Sequence, residues 1–227
     1  MDLLENPDHI DIKYWYYRRK FNLIFRFFES APFIESVCDV GAGRAIFSLE
    51  LSKAKPKTLF IASDINYTMD WLEKNDIPNL KYCHDYRKSK VILLNDVLEH
   101  IESPVDFLKR IAENSDSGAT FLITVPAHQH LWSNHDVHLR HFRRYTRKTL
   151  KEDIETSGLR IVEMKYIYWT LYPFVLFYRK VLRHQQGSNL KQRPILDSLF
   201  SGLMTIEEWF PNFDLPGVSI WCIAIKP

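Results

Sequence analysis

The stretch SVCDVGAGRAIFSLELSKAKPKTLFIASD, from Ser36 to Asp64, decides the fold. Ser36 to Val40 is a short apolar run that reads as a buried strand, and Ala45 to Lys53 carries Ile46, Leu49 and Leu51 as a helix packed on a sheet would. Between them lies Asp39-Val-Gly41-Ala42-Gly43-Arg-Ala45. Its two glycines let backbone approach a ligand with no Cβ in the way, and the helix that follows offers unpaired N–H groups. Thr58 to Asp64 is a second strand that ends on a carboxylate, 21 residues beyond Gly43. Strand, glycine turn, helix and strand in this order belong to an open parallel α/β sheet, whose ligand sits outside the carboxyl ends of the strands.

Upstream, Tyr14 to Glu29 spaces Phe21, Ile24, Phe25 and Phe28 as a helix, with Arg18, Arg19 and Lys20 expected as a cationic patch beside Trp15, Tyr16 and Tyr17. Downstream, Leu80 to Tyr82 is a short third strand, Val91 to Asp96 a fourth, and Thr120 to Val125 a fifth that Pro126 halts. Ser103-Pro-Val-Asp106 supplies an N-cap, a proline at the first helical position and an acidic third position. Thr146 caps a further helix carrying Leu150 and Ile154 and closed by Gly158. Leu159 to Tyr166 and Val218 to Ile225 are the sixth and seventh strands. The expected class is α/β: a Rossmann-like, mostly parallel seven-stranded sheet with the last strand antiparallel and helices on both faces, in one domain over residues 1–227.

Composition narrows the partners. Thirty Lys and Arg against 28 Asp and Glu leave a net charge of +2, far from the one-signed balance of a nucleic-acid-binding domain, so no nucleic-acid partner is expected. Cys38, Cys83 and Cys222 sit in separate apolar runs with no metal or redox spacing, which reads as reduced thiols in a cytoplasmic protein. Met1 is followed by Asp2, Glu5 and Asp8, so neither a signal peptide nor an N-terminal anchor is indicated. The longest apolar stretch, Tyr166 to Tyr178, falls short of the ~20 residues a spanning helix needs.

A carboxylate at the position of Asp64 can accept both hydroxyls of an adenosine ribose. The dinucleotide fingerprint requires glycine or alanine where this chain has Ile46, which disfavours a pyrophosphate and makes an NAD-dependent oxidoreductase the least favoured reading. Asp39 at the entry to the turn suits a ligand bearing an ammonium or sulfonium charge, such as S-adenosylmethionine. A plain chain reversal with Asp64 as a helix cap is the competing reading of the same residues.

These residues bring a family into view. Val37-Cys-Asp-Val-Gly-Ala-Gly43, Ser63-Asp64-Ile65-Asn66, Asn95-Asp96-Val-Leu-Glu-His100 and Gly118 to Pro126 resemble successive motifs of the class I S-adenosylmethionine-dependent methyltransferases, in the group of small enzymes labelled type 11 or type 12. The likeness covers nearly the whole chain. It implies that Gly41 and Gly43 face the methionine part, Asp64 holds the ribose, Asp85 meets the adenine amino group and backbone near Asn95 lines the cleft. With Asp39, Ala42 and Ile65 these residues make up the implied cofactor set. Trp132-Ser-Asn-His135-Asp136 and His141-Phe-Arg-Arg144-Tyr145-Thr146 are similar to two pieces of one subgroup, and residues 1–33 to its N-terminal lid helix. Two departures stand out: Ala45 replaces a customary third glycine, and the connection after the third strand is too short for the usual helix. A third strand running to His84 would leave five residues for a crossing of about 22 Å, which they cannot span. Either the strand ends near Tyr82 or the sheet is reduced at that edge.

Methyl transfer from a sulfonium needs alignment more than a nucleophile from the protein, and removal of a proton from the acceptor falls most readily to histidine. Five of the nine histidines, His128, His130, His135, His138 and His141, lie in the loop after the fifth strand. His135 and His141 are the expected catalytic residues, with Trp132, Asp136, Arg144 and Tyr145 binding the acceptor. Solvated loop residues are the plain alternative, and no convincing set of metal ligands is expected. His100 reads as structural. Residues 167–215 form a helical insertion before the last strand, with an aromatic helix from Trp169 to Leu182, a polar break and a second amphipathic helix. It fits a lid, an internal or dimer contact, or a membrane-facing surface. The expected function is methyl transfer from S-adenosylmethionine to oxygen or nitrogen of a small-molecule or lipid-linked acceptor; the alternative is a non-catalytic S-adenosylmethionine-binding partner subunit.

Overall fold

The computed structural model describes residues 12, 14–31, 33–74, 77–181, 194–210 and 215–227. Its centre is a seven-stranded sheet made by β1 (Ser36–Val40), β2 (Leu59–Ser63), β3 (Leu80–Cys83), β4 (Val91–Asn95), β5 (Thr120–Pro126), β6 (Arg160–Ile167) and β7 (Ser219–Ile225). The spatial order is β3-β2-β1-β4-β5-β7-β6, with β7 antiparallel to both neighbours and the pairings among the first five strands parallel. The expected class and topology hold.

The inner strands of the parallel half, β1, β4 and β5, are mostly apolar and buried because both faces are covered, while the edge strand β3 is only partly buried. One core gathers Val37, Phe60, Leu80, Val91 and Leu93 under α1 (Trp15–Ser30) and α2 (Ile46–Ala54). The opposite core gathers Cys38, Ile92, Leu94, Phe121 and Ile123 under α4 (Pro104–Glu113) and α6 (Arg147–Thr156); the short α3 (Met69–Leu72) precedes α4 in the chain and α5 (Asn134–His138) precedes α6. Full burial of side chains such as Phe60 or Leu93 contributes about 1.5–3 kcal/mol each. The capping expectation holds at α6, where Thr146 and Thr149 exchange side-chain and backbone hydrogen bonds. At α4, Pro104 occupies the first turn as expected, but the Ser103 side chain makes no cap bond.

The third strand ends at Cys83, and the sheet keeps its edge. His84 to Lys90 then return to β4 as an irregular strap rather than a helix. Its Arg87 N–H reaches Cys38 Sγ at 3.4 Å and its Lys90 N–H reaches Ser36 Oγ at 3.2 Å, so the strap crosses over β1. Seven residues reach about 23 Å, enough for three strand spacings and the return along the strand.

The insertion holds α7 (Tyr172–Val181) and α8 (Pro194–Trp209); Leu182 and the polar break lie outside the described residues. The helix expected from Trp169 begins at Tyr172, because Tyr168 is held at φ +60° and a turn follows it. The two helices have different fates. α8 packs on α1 through Trp15 against Phe200 (5.2 Å between ring centres), Arg18 to Ser201 (2.7 Å) and Asn22 to Glu208 (2.6 Å). α7 leaves Phe174, Phe177 and Tyr178 more than half exposed. No helix among the described residues is long and apolar enough to cross a membrane.

The cationic patch expected on α1 does not form. Arg19 and Lys20 are buried and paired with acids, Arg19 to Glu207 of α8 at 3.5 Å and Lys20 to Asp96 just beyond β4. A buried cation needs an anion beside it: Lys20 has Asp96 and also donates to the Tyr16 hydroxyl at 2.9 Å, whereas Arg19 has the Glu207 charge alone, its Nε and Nη1 making no hydrogen bond among the described residues. Glu207 also accepts from the backbone of Tyr168 and Thr170, while Asp96 accepts from the Tyr16 hydroxyl at 3.1 Å.

Candidate active site

The sheet order reverses between β1 and β4, and the glycine turn leaves the sheet at that switch point. Val40 pairs with Ser63, so Gly41 and Asp64 emerge side by side from neighbouring strands. Gly41 sits at φ +67°, and a Cβ there would lie 2.9 Å from Val97 Cγ2. Gly43 is also left-handed, at φ +53°, and its N–H donates to Asp64 Oδ2 at 2.9 Å. The other oxygen, Oδ1, accepts from Asn66 backbone and side chain at 2.9 and 3.1 Å. Ala45 holds φ +55°, the conformation a glycine would take without strain, which accounts for the customary third glycine.

Asp39 is almost fully buried below the turn, with Ser48 donating to Oδ2 at 2.7 Å. Burial pushes its carboxyl up to about 6, against the opposing hydrogen bond from Ser48. Ala42 and Gly43 are buried, Asn95 closes β4 inside the fold, and Ile65 stands 84% exposed beyond Asp64. Asp85 is exposed on the strap, one strand over from Asp64, its carbonyl accepting from Cys83 Sγ. The turn, Asp39, Asp64, Ile65 and Asp85 thus gather at one end of the sheet.

The loop after β5 is built around Asp136. Ser133 caps α5 in a capping box: its hydroxyl accepts from the His135 backbone, and Asp136 Oδ2 accepts from the Ser133 N–H (2.9 Å) and hydroxyl (3.1 Å). Oδ1 of the same carboxylate accepts from Arg144 Nε at 2.7 Å and faces His141 Nδ1 at 3.0 Å. The two motif pieces are therefore one hydrogen-bonded unit joined at a buried carboxylate. Burial alone would raise the Asp136 carboxyl; the His141 hydrogen bond and the Arg144 charge overcome it and hold the group well below the usual carboxylate range. His141 meets His100 edge to face, with ring centres 4.6 Å apart, and Phe142 N–H donates to the Glu99 carbonyl at 2.7 Å. His141 thereby abuts the turn that follows β4.

Some expected acceptor residues take other places. Asp136 is wholly buried as the hub of the loop, and Arg144 fixes it while also donating to the Ala127 carbonyl. Tyr145 is a core residue, 1% exposed, whose hydroxyl donates to the Leu98 carbonyl; an apolar ring under a β5 bridge is held there by packing rather than offered to a ligand. Trp132 and His135 are half-buried around α5. His100, expected as structural, packs against His141 edge to face. Sequence reading also missed Tyr16, Lys20, Asp96 and Glu99. A signal for the loop was present, since Ser133 and Asp136 have capping-box spacing. None marked Lys20 as internal.

A buried glycine turn beside an acidic strand end, at the switch point of a sheet with one antiparallel strand, defines a Rossmann-like nucleoside-binding class. A family profile described as a methyltransferase domain matches residues 12–164, and the chain belongs to that family. No curated protein sequence matches. Among solved structures, phosphoethanolamine N-methyltransferase 2 of Haemonchus contortus in complex with S-adenosyl-L-methionine is similar at 16% identity and a TM-score of 0.61. The match covers 92% of this chain and 52% of that one, so this chain spans about half the length of that enzyme. A SAM-dependent methyltransferase from Archaeoglobus fulgidus is similar at 16% identity and a TM-score of 0.56, over 91% of this chain and 92% of that one. A [4+2]-cyclase, SpnF, shares the fold at 15% identity and a TM-score of 0.61, over 98% and 85% of the two chains.

Proposed function

We propose that this methyltransferase-family chain binds S-adenosylmethionine over the Gly41–Gly43 turn and transfers its methyl group to oxygen or nitrogen of a small-molecule or lipid-linked acceptor. The observation that carries the reading is the juxtaposition of Gly43 and Asp64 through a 2.9 Å hydrogen bond, at a turn where Gly41 has no room for a Cβ. The residues fit the ligand. Asp64 uses three of its roughly four acceptor positions internally, and a ribose diol can take the open one and replace the Asn66 side chain. S-adenosylmethionine supplies an activated methyl group on sulfur. Gly41, Ala42 and Gly43 receive the methionine part, Asp39 offsets its positive charge, Ile65 covers the adenine, Asp85 reaches its amino group, and Asn95 borders the cleft.

His141 is assigned to the acceptor's proton. Asp136 engages Nδ1 and fixes the tautomer, which leaves Nε2 for the acceptor. Arg144 is a positioning residue through Asp136, and Trp132 and His135 shape the entrance. The lipid-linked option draws support from α7, whose exposed Phe174 and Phe177 follow directly on Tyr172, a residue hydrogen-bonded to His130 of the same loop at 3.0 Å. α1, carrying Tyr16 and Lys20, covers the site as its lid.

Incubation with methyl-labelled S-adenosylmethionine and separated aqueous and lipid extracts tests the function: label is expected in an acceptor from one of the two. Binding without transfer to any acceptor favours the partner-subunit reading. A pH dependence follows from Asp39. Its carboxyl titrates near 6 in the folded chain, so below that pH it is neutral and no longer attracts the cationic ligand. Affinity measured calorimetrically is expected to fall from pH 7.5 to pH 5 by up to about tenfold per pH unit below the midpoint. Asp39→Asn is expected to be weaker at pH 7.5 and flat across the range; a wild type equally flat contradicts the role.

A further inference from the structure

Glu99, His100 and His141 form a cluster that the proposed transfer does not account for. A ligand-capable atom of each lies within 4.8 Å of the other two. Glu99 is 1% exposed, and its Oε2 has no hydrogen-bond partner among the described residues. The nearby ammonium of Lys20 is committed to Asp96 and Tyr16. A buried carboxyl oxygen left without a partner costs the fold a desolvation penalty, which a bound proton or a metal cation relieves.

The surroundings are those of a ligand set. Glu99 and His100 sit on a 3-10 turn, Leu98–His100, at the carboxyl end of β4, and Phe142 N–H to the Glu99 carbonyl ties the segment bearing His141 to that turn. Asp136 holds His141 through Nδ1, which leaves Nε2 to coordinate. A carboxylate on the far nitrogen is how proteins fix a metal-binding imidazole. Two imidazoles and one carboxylate suit a borderline divalent ion and leave part of its coordination sphere open. Bonds of about 2.0–2.1 Å require ligand atoms about 3.4 Å apart, so the cluster closes with a movement of an ångström or less by each group.

We propose that Glu99, His100 and His141 bind a divalent transition-metal ion of the zinc or manganese kind, with an open position facing the acceptor. The inference rests on the proposed function for the acceptor alone and replaces its proton step at His141. With an ion in place, His141 holds the metal and not the proton, and the ion's charge acidifies an acceptor hydroxyl whose proton leaves to solvent.

Chelator-stripped protein titrated with Co²⁺ is expected to develop a visible absorption band saturating at one ion per chain, and Zn²⁺ is expected to displace it and raise the melting temperature. Glu99→Gln and His100→Ala are expected to weaken Co²⁺ by at least about 100-fold and to lose the thermal shift, while Asp136→Asn weakens it by about 10- to 100-fold. His138→Ala, an exposed neighbour outside the cluster, serves as the control and is expected to bind as wild type does. Equal binding by wild type and the cluster variants, or no band at all, overturns the site. Full methyl transfer by the chelated protein overturns its role. S-adenosylmethionine titrations of the same proteins keep the readings apart: metal bound without cofactor leaves this site standing and removes the proposed function.

Discussion

Glu207→Ala is expected to destabilise the fold by about 3–5 kcal/mol, the cost of leaving one member of a buried ion pair alone. Glu207 is wholly buried and accepts from Tyr168 N–H (2.9 Å), Thr170 N–H (2.8 Å) and the Thr170 hydroxyl (2.9 Å), with the Arg19 guanidinium at 3.5 Å. Alanine leaves Arg19, 2% exposed, with an uncompensated charge and strips two backbone donors of their acceptor. At roughly 2–4 °C per kcal/mol for a chain of this size, the melting temperature should fall by about 6–20 °C. Replacing the pair together, Arg19→Met with Glu207→Gln, should cost less than the sum of the single changes, because the second removes the charge that the first exposes. Loss of less than about 0.5 kcal/mol in Glu207→Ala, a typical surface effect, would mean that the pair does not anchor α1 and α8.

The second large effect is on turnover. His141→Ala is expected to lower kcat by about 10²- to 10⁴-fold, the usual contribution of proton-transfer assistance, with S-adenosylmethionine affinity kept; the loss is the same size for an imidazole that takes the acceptor's proton and for one that holds the ion acidifying it. The separation follows from geometry: His141 is held by Asp136 and meets His100 edge to face, whereas the turn and Asp64 form a separate hydrogen-bonded unit. Asp136→Asn should lower turnover less, since an amide orients the His141 ring more weakly than the carboxylate does. In wild type the carboxylate is not the limiting titration. Unfolded it titrates near 3.8 and folded lower still, so its contribution to stability is complete above 3.8 and is lost only as the pH falls through the folded value. Unaltered kcat in His141→Ala removes it from the chemistry.

How much of this was legible in the sequence depends on the range of the interaction. The glycine turn, Asp64 and the Thr146 cap are local patterns, set by φ sign, strand length and three-residue spacing, and they were readable without a partner. The strap after β3 was half readable: chain reach left either an early strand end or a reduced edge, and gave no sign of the path over Cys38. Arg19 and Lys20 were misread because a cation on an aromatic helix looks solvated until its acid is known, and Asp96 and Glu207 lie far along the chain. Asp136 looked like an acceptor contact for the same reason. Its role as the hub between Ser133, His141 and Arg144 exists only when the loop closes on itself.

Calorimetric titration of S-adenosylmethionine into wild type and Asp64→Ala tests the account most directly. Saturable one-to-one binding by wild type, weaker by about 1.5–3 kcal/mol in the variant as for lost hydrogen bonds to a charged group, is the predicted result. Equal affinity in the two proteins, or no heat of binding in either, contradicts it.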